Sequence, residues 1–210
     1  MFNSEVYHLE RSPLFQLSLS SKELFHSNFL FWLIDTYKDQ CTEIFSKFLV
    51  TKMKNLVITN VFREKENRDL TIIFTNKERE SAILVIENKV KSIPYLAQLE
   101  KYTKSDPNES YLLLSLSKPT FLNAENQIYI ADLDKVWKYI NYEELSKLLT
   151  NLLPSIKKES EYHEFLLKDY ILFISSFSQL FTEYTKEINT YDFYNPQKIK
   201  VLNKLRIHPE

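Results

Sequence analysis

The sequence predicts an α/β protein built on a mixed sheet, and three observations point that way. Segments with apolar residues at helical spacing alternate along the chain with short apolar runs of strand character. Two of those runs, residues 69–75 and 81–89, are separated only by the hydrophilic NKERE, which joins them as an antiparallel hairpin. At 210 residues, 44% hydrophobic and 14% aromatic, the chain can bury one sizeable core and is too apolar to remain disordered.

The elements follow in order. A first helix opens at Ser20-Ser21-Lys22-Glu23, with Ser20 as cap and Glu23 as its capping-box partner, ahead of the apolar LFHSNFLFWLI. The spacing of Ile44, Phe45, Phe48, Leu49 and Met53 predicts a second helix over 39–54. Three strand-like segments come next: LVITNVF (56–62), DLTIIFT (69–75) and SAILVIENK (81–89). Pro94 suits the first position of a helix, PYLAQLEKYTK, that ends before the turn-forming Ser105-Asp106-Pro107-Asn108. SYLLLSLS (110–117) and NQIYIAD (126–132) read as further strands. Asn141 with Glu144 caps a helix reaching about residue 153. Residues 159–189 form a long C-terminal helix, with Phe165, Leu166, Tyr170, Phe173, Ile174, Phe177 and Phe181 among its apolar positions. No repeat or low-complexity linker divides the chain, so one domain is expected over residues 1–190, followed by an unassigned tail, 191–210.

Composition narrows the function classes. With 27 basic and 28 acidic side chains the formal net charge is −1, so any nucleic-acid role must rest on a local site rather than a basic surface. Cys41 is the only cysteine, which excludes an internal disulfide and a Cys-rich zinc site and fits a reducing compartment. The opening MFNSEVYHLE lacks a basic region followed by an apolar core, and no run of about 18 apolar residues occurs, so a cytoplasmic protein without a membrane span is expected. Glycine is absent, where average usage of about 7% gives roughly 15. Lys (22) and Asn (15) are plentiful while Ala (4) and Arg (5) are scarce, as an AT-rich gene produces, but that bias rarely abolishes glycine. An edited or redesigned sequence is therefore one reading, and turns must use Asn or tolerate strain.

The chemistry is sought where the apolar run AILVIENKVKS ends in Glu87-Asn88-Lys89. A five-residue hairpin loop at 76–80 puts Asp69 across from Glu87. Directly opposed positions have Cβ atoms about 4.5–5.5 Å apart, too close for two bare anions in a partly buried site without a cation between them. Mg2+, which keeps several waters and binds through one or two carboxylates plus substrate phosphate, suits this donor pair. Period-two alternation places Lys89 on the Glu87 face with Val85 and Ile83, and Asn88 on the other. Water on such an ion has a lowered pKa and attacks phosphorus, while Lys89 can orient that water or offset charge on the phosphate. The implied reaction is phosphodiester hydrolysis.

These residues resemble the PD-(D/E)XK nuclease superfamily, whose motif is an Asp at a strand start and, after a hairpin, an acidic residue, any residue and Lys. Asn67-Arg68-Asp69 and Glu87-Asn88-Lys89 match it, except that the motif's Pro is missing. A subgroup offers further likenesses: a helix similar to KELFHSNFLFWLI, a strand-end Glu like Glu64, the IENK strand end and a helix similar to QLEKY, spanning roughly residues 20–104. The resemblance implies a restriction-endonuclease-like mixed central sheet flanked by helices. It implies Asp69, Glu87 and Lys89 as catalytic residues, with Gln98 beside them. It also implies Mg2+ or Mn2+ held by Asp69, Glu87 and the backbone carbonyl of Asn88, and nucleic acid, DNA first, as partner. Cutting both strands favours a twofold homodimer.

Each candidate also has a plainer reading. Asp69 and Glu87 are alternatively surface ion pairs with Arg68 and Lys89 at a sheet edge, and Lys89 an edge-strand guard against aggregation. Gln98 is alternatively a solvated helix position, and Glu64 and Glu23, candidates as further acidic residues of the site, are alternatively an ordinary charge in REKE and only a capping residue. His26, three residues after Glu23, either reaches the same cleft or forms a helix-surface pair with it. Two rival functions stay open: a lapsed or redesigned nuclease-like fold acting as a binding module, and a metal-dependent enzyme on another phosphate substrate.

Overall fold

The alternating apolar runs pair into a six-stranded mixed sheet in a computed structural model that describes residues 3–19, 22–51, 53–90 and 94–186. The strands are β1 (Val57–Lys65), β2 (Arg68–Thr75), β3 (Ser81–Lys89), β4 (Glu109–Ser115), β5 (Gln127–Ile130) and β6 (Lys135–Asn141), in the spatial order β1-β2-β3-β4-β6-β5. β1, β2 and β3 are successively antiparallel, β3, β4 and β6 are parallel, and β5 runs antiparallel to β6. The helices are α1 (Asn3–Arg11), α2 (Pro13–Ser18), α3 (Lys22–Thr36), α4 (Lys38–Phe45), α5 (Leu96–Tyr102), α6 (Tyr142–Thr150), α7 (Leu153–Glu159) and the long α8 (Glu161–Lys186).

Alternation divides the core into two unequal layers. Leu70, Ile72 and Phe74 of β2, Leu84 and Ile86 of β3 and Leu112 of β4 pack with Leu33, Leu145, Tyr170 and Phe173 from α3, α6 and α8. On the opposite face Val85, Tyr111, Leu113 and Trp137 pack with Leu99 of α5. β3 is covered on both faces and hydrogen-bonded on both sides, so its charged C-terminal end is held inside the structure.

The β2–β3 hairpin has the five-residue loop and the register expected of it. Thr75 pairs with Ser81 and Leu70 with Ile86, and the loop is closed by Asn76 N to Glu80 O at 3.1 Å. The glycine-free turns take both routes open to them. Asn55, Asn67, Asn126 and Asp134 adopt positive φ at the small penalty their side chains permit, but Glu64, Glu66 and Arg79 do so as well. Each of those three carries a strain of about 1–2 kcal/mol.

Several elements differ from expectation. The helix expected over 39–54 ends in a 3-10 turn at Ser46–Phe48, and Leu49 is extended. Val50 N donates instead to Ser110 Oγ at 3.0 Å, and Lys138 Nζ donates to the carbonyls of Lys47 and Leu49, which draws this segment onto the sheet. The helix expected from Pro94 begins at Leu96, with Tyr95 as its cap residue. β1 runs past the expected end at residue 62 to Lys65, and β5 stops at Ile130. Helices α1, α2 and α7 and strand β6 were not expected. Asn141 and Glu144 do form the capping box of α6. On α8, Phe165 is exposed while Tyr170, Phe173, Ile174 and Phe177 are buried, because Phe165 lies just off the inward stripe. Ser20, residues 187–189 of the expected helix and the tail 191–210 lie outside the described residues.

Candidate active site

Three strands bring acidic residues into one row. The pairs Arg63–Leu70 and Lys65–Arg68 set Glu64 of β1 opposite Asp69, and continuing the β2–β3 register past Leu70–Ile86 sets Asp69 opposite Glu87. Asp69 Oδ2 accepts from the Asn88 backbone N–H at 2.7 Å. Glu87 Oε1 lies 2.8 Å from Lys89 Nζ and accepts from Gln98 Nε2 of α5 at 3.0 Å. Gln98 Nε2 also lies 3.1 Å from Tyr102 Oη. Asp69, Glu87, Lys89 and Gln98 are thus gathered at one strand end, with the Asn88 backbone between the two carboxylates.

The Glu87–Lys89 ion pair of the plainer reading is present, but not on a surface or at a sheet edge. β3 lies between β2 and β4, not at an edge, and Glu87 and Lys89 are buried. Arg68 does not pair with Asp69. It makes a bidentate bond to buried Glu109, at 2.9 and 2.8 Å, and donates to the Tyr102 carbonyl.

Burial and like charge dominate the electrostatics. Burial, followed by the Asp69 charge, pushes Glu87 up to about 7, against the opposing pull of Lys89. Burial also raises Asp69, opposed by the Asn88 N–H and Lys89 and helped by Glu23 and Glu64. For Lys89, burial works to lower the ammonium, but Glu87, Glu23 and Asp69 more than reverse this and hold it above its ordinary value. The carboxyl groups thus resist ionising side by side, even with the Lys89 ammonium among them.

Glu23 joins the cluster through tertiary contacts. Its Oε1 accepts from Val90 N at 3.3 Å, its backbone carbonyl accepts from Asn88 Nδ2 at 3.0 Å, and Asn88 Nδ2 is 3.2 Å from Ser27 Oγ. The Tyr142 hydroxyl of α6 donates to Asn88 Oδ1. His26 goes elsewhere: it is fully buried, with Nδ1 2.9 Å from Tyr170 Oη and its ring against Tyr142 and Phe173. It is neither a cleft residue nor the surface partner of Glu23. Burial, with the charge of Lys22, lowers it to about 3, so it is neutral at pH 7. Ser27 and Tyr142 carried no sequence signal; only the docking of α3 and α6 on the strand end reveals them.

The donor set suits a hard divalent cation. Asp69, Glu87 and the Asn88 carbonyl are oxygen donors of the kind Mg2+ and Mn2+ select, and a cation between the two carboxyls relieves the repulsion that raises Glu87. Among the described residues no group of three His, Cys, Asp or Glu side chains converges as a metal cage. Mg2+ needs only one or two carboxylates, the rest of its shell being water or substrate oxygen. Among the described residues no helix is long and apolar enough to cross a membrane. Against known families, a profile described as the PD-(D/E)XK nuclease superfamily matches residues 14–172, most of the chain. No curated protein and no solved structure matches the sequence.

Proposed function

The chain belongs to the PD-(D/E)XK nuclease superfamily, and from that premise we propose that it is a metal-dependent nuclease hydrolysing phosphodiester bonds of nucleic acid, DNA first. The observation that carries the reading is the convergence of Asp69, Glu87 and Lys89 at one buried strand end, with Lys89 Nζ 2.8 Å from Glu87 Oε1. Asp69, Glu87 and the Asn88 carbonyl would hold Mg2+ or Mn2+, with Glu23 and Glu64 as further acidic residues near them. Bound there, the ion supplies an acidified water and neutralises phosphate charge.

The protein's own groups do the rest. Lys89, protonated at neutral pH, places its ammonium where negative charge grows on the phosphoryl oxygens as water adds to phosphorus and the ester oxygen leaves. Gln98 fixes the Glu87 carboxylate through its hydrogen bond to Oε1. The Asn88 N–H does the same for Asp69. A cytoplasmic setting and a twofold dimer that cuts both strands complete the proposal.

The test is cleavage of plasmid, linear duplex and single-stranded DNA and of RNA, with Mg2+ or Mn2+, by wild type and Asp69→Asn. Metal-dependent cleavage of DNA that Asp69→Asn abolishes supports the reading. Metal binding without cleavage of any substrate favours the lapsed binding module, and cleavage undiminished by Asp69→Asn places the chemistry elsewhere.

A further inference from the structure

The Asn88 side chain points away from the carboxylates, is 1% exposed, and is bonded on every side. Its Nδ2 donates to the Glu23 carbonyl and to Ser27 Oγ on α3, and its Oδ1 accepts from the Tyr142 hydroxyl on α6. Tyr142 is itself fully buried, its ring tilted against that of His26 with 4.9 Å between centroids. On the other side of the same residue, the backbone N–H holds Asp69 Oδ2 at 2.7 Å. One turn of α3 is therefore stapled to the strand end by two bonds from Asn88 Nδ2 and one from Val90 N to Glu23 Oε1. The motif leaves this position free for any residue, yet here it has more buried polar partners than either of its neighbours.

We propose that Asn88, locked by Tyr142 and Ser27, is a positioning residue that fixes the backbone between Asp69 and Glu87 and sets the approach of Glu23 to them. The proposal rests on the nuclease reading. The N–H that orients Asp69 and the carbonyl offered to the metal lie on the two peptide groups that meet at the Asn88 Cα, so a shift of this residue's backbone displaces both.

The experiment titrates Mn2+ alone, by calorimetry, into the full chain as wild type, Tyr142→Phe and Ser27→Ala, well below each melting temperature, and follows single-turnover DNA cleavage at saturating Mn2+. Tyr142→Phe keeps the ring packed on His26 and removes one hydroxyl. Ser27→Ala removes one of the two acceptors on α3 and serves if Tyr142→Phe does not fold. Loss of a partner that orients metal ligands weakens metal affinity or activity about 10–100-fold, and a weakening of Mn2+ binding of at least about 10-fold, with slower cleavage, is expected. A merely structural role lowers the melting temperature and leaves the Mn2+ dissociation constant of the folded protein unmoved, and that result overturns the proposal. If wild type binds no Mn2+ and cuts nothing, the nuclease reading falls and the proposal with it. Tight wild-type binding with unaltered variants sinks the positioning role alone.

Discussion

Lys89 Nζ and Glu87 Oε1 are 2.8 Å apart on a strand buried on both sides. Side chains two residues apart on a strand share a face, so this contact follows from the Glu-Asn-Lys spacing itself. The pair leaves Lys89 charged and next to an oxygen proposed to bind metal.

Lys89→Ala is expected to slow single-turnover cleavage by about 10²-fold or more, the scale for losing one preorganised electrostatic group. Its benefit belongs to the transition state, so metal affinity is unchanged or tighter once the cation is removed. Equal rates in wild type and Lys89→Ala at saturating Mg2+ would remove Lys89 from the chemistry.

Asp69→Asn combined with Glu87→Gln is expected to abolish stabilisation by metal. At a metal concentration 100 times the dissociation constant, wild type gains about 2.7 kcal/mol, or roughly 5–10 °C in Tm for a domain of this size. Thermal melts across a Mg2+ or Mn2+ series measure this. A double variant that still gains the full increment puts the metal at other residues.

The legible parts of the site were local. Loop length and period-two alternation were enough to place Asp69 opposite Glu87 and Lys89 beside it, because a one-residue slip in β3 reverses every side chain. Glu23 and His26 were not legible. α3 is apolar almost all round, burying Phe29, Leu30, Leu33 and Ile34 as well as His26 and Ser27, so its sequence does not say which face meets the strand end. β6 was hidden because Lys135 and Lys138 interrupt its apolar residues. Both lysines reach backbone carbonyls, Lys135 that of Asp106 and Lys138 those of Lys47 and Leu49, a use that hydropathy does not reveal.

Glu109→Gln is expected to destabilise the protein by about 3–5 kcal/mol, since it strands the Arg68 guanidinium in a buried site. Arg68→Met with Glu109→Leu should recover much of that loss by removing both charges. Urea unfolding of wild type and the two variants checks it, and a double variant no better than Glu109→Gln would show that the two residues act separately.

The last prediction concerns stability of the metal-free protein with pH, where two buried groups oppose each other. Glu87 is raised from 4.5 to about 7 on folding. Its contribution is whole below pH 4.5 and is lost as pH rises to 7, because the unfolded carboxyl ionises first. His26 is lowered from 6.5 to about 3. Its contribution is whole above pH 6.5 and is lost as pH falls toward 3, because the unfolded imidazole takes up its proton first. Each slope approaches about 1.4 kcal/mol per pH unit, so between pH 4.5 and 6.5 the two largely cancel. Urea unfolding should therefore find wild type nearly flat in that window apart from other titrating groups. Glu87→Gln exposes the His26 limb and loses stability, relative to wild type, as the solution is made acid. His26→Asn, which keeps a polar atom near Tyr170 Oη but cannot titrate, gains stability relative to wild type over the same interval. Parallel curves for all three proteins would mean that neither group titrates as its burial requires.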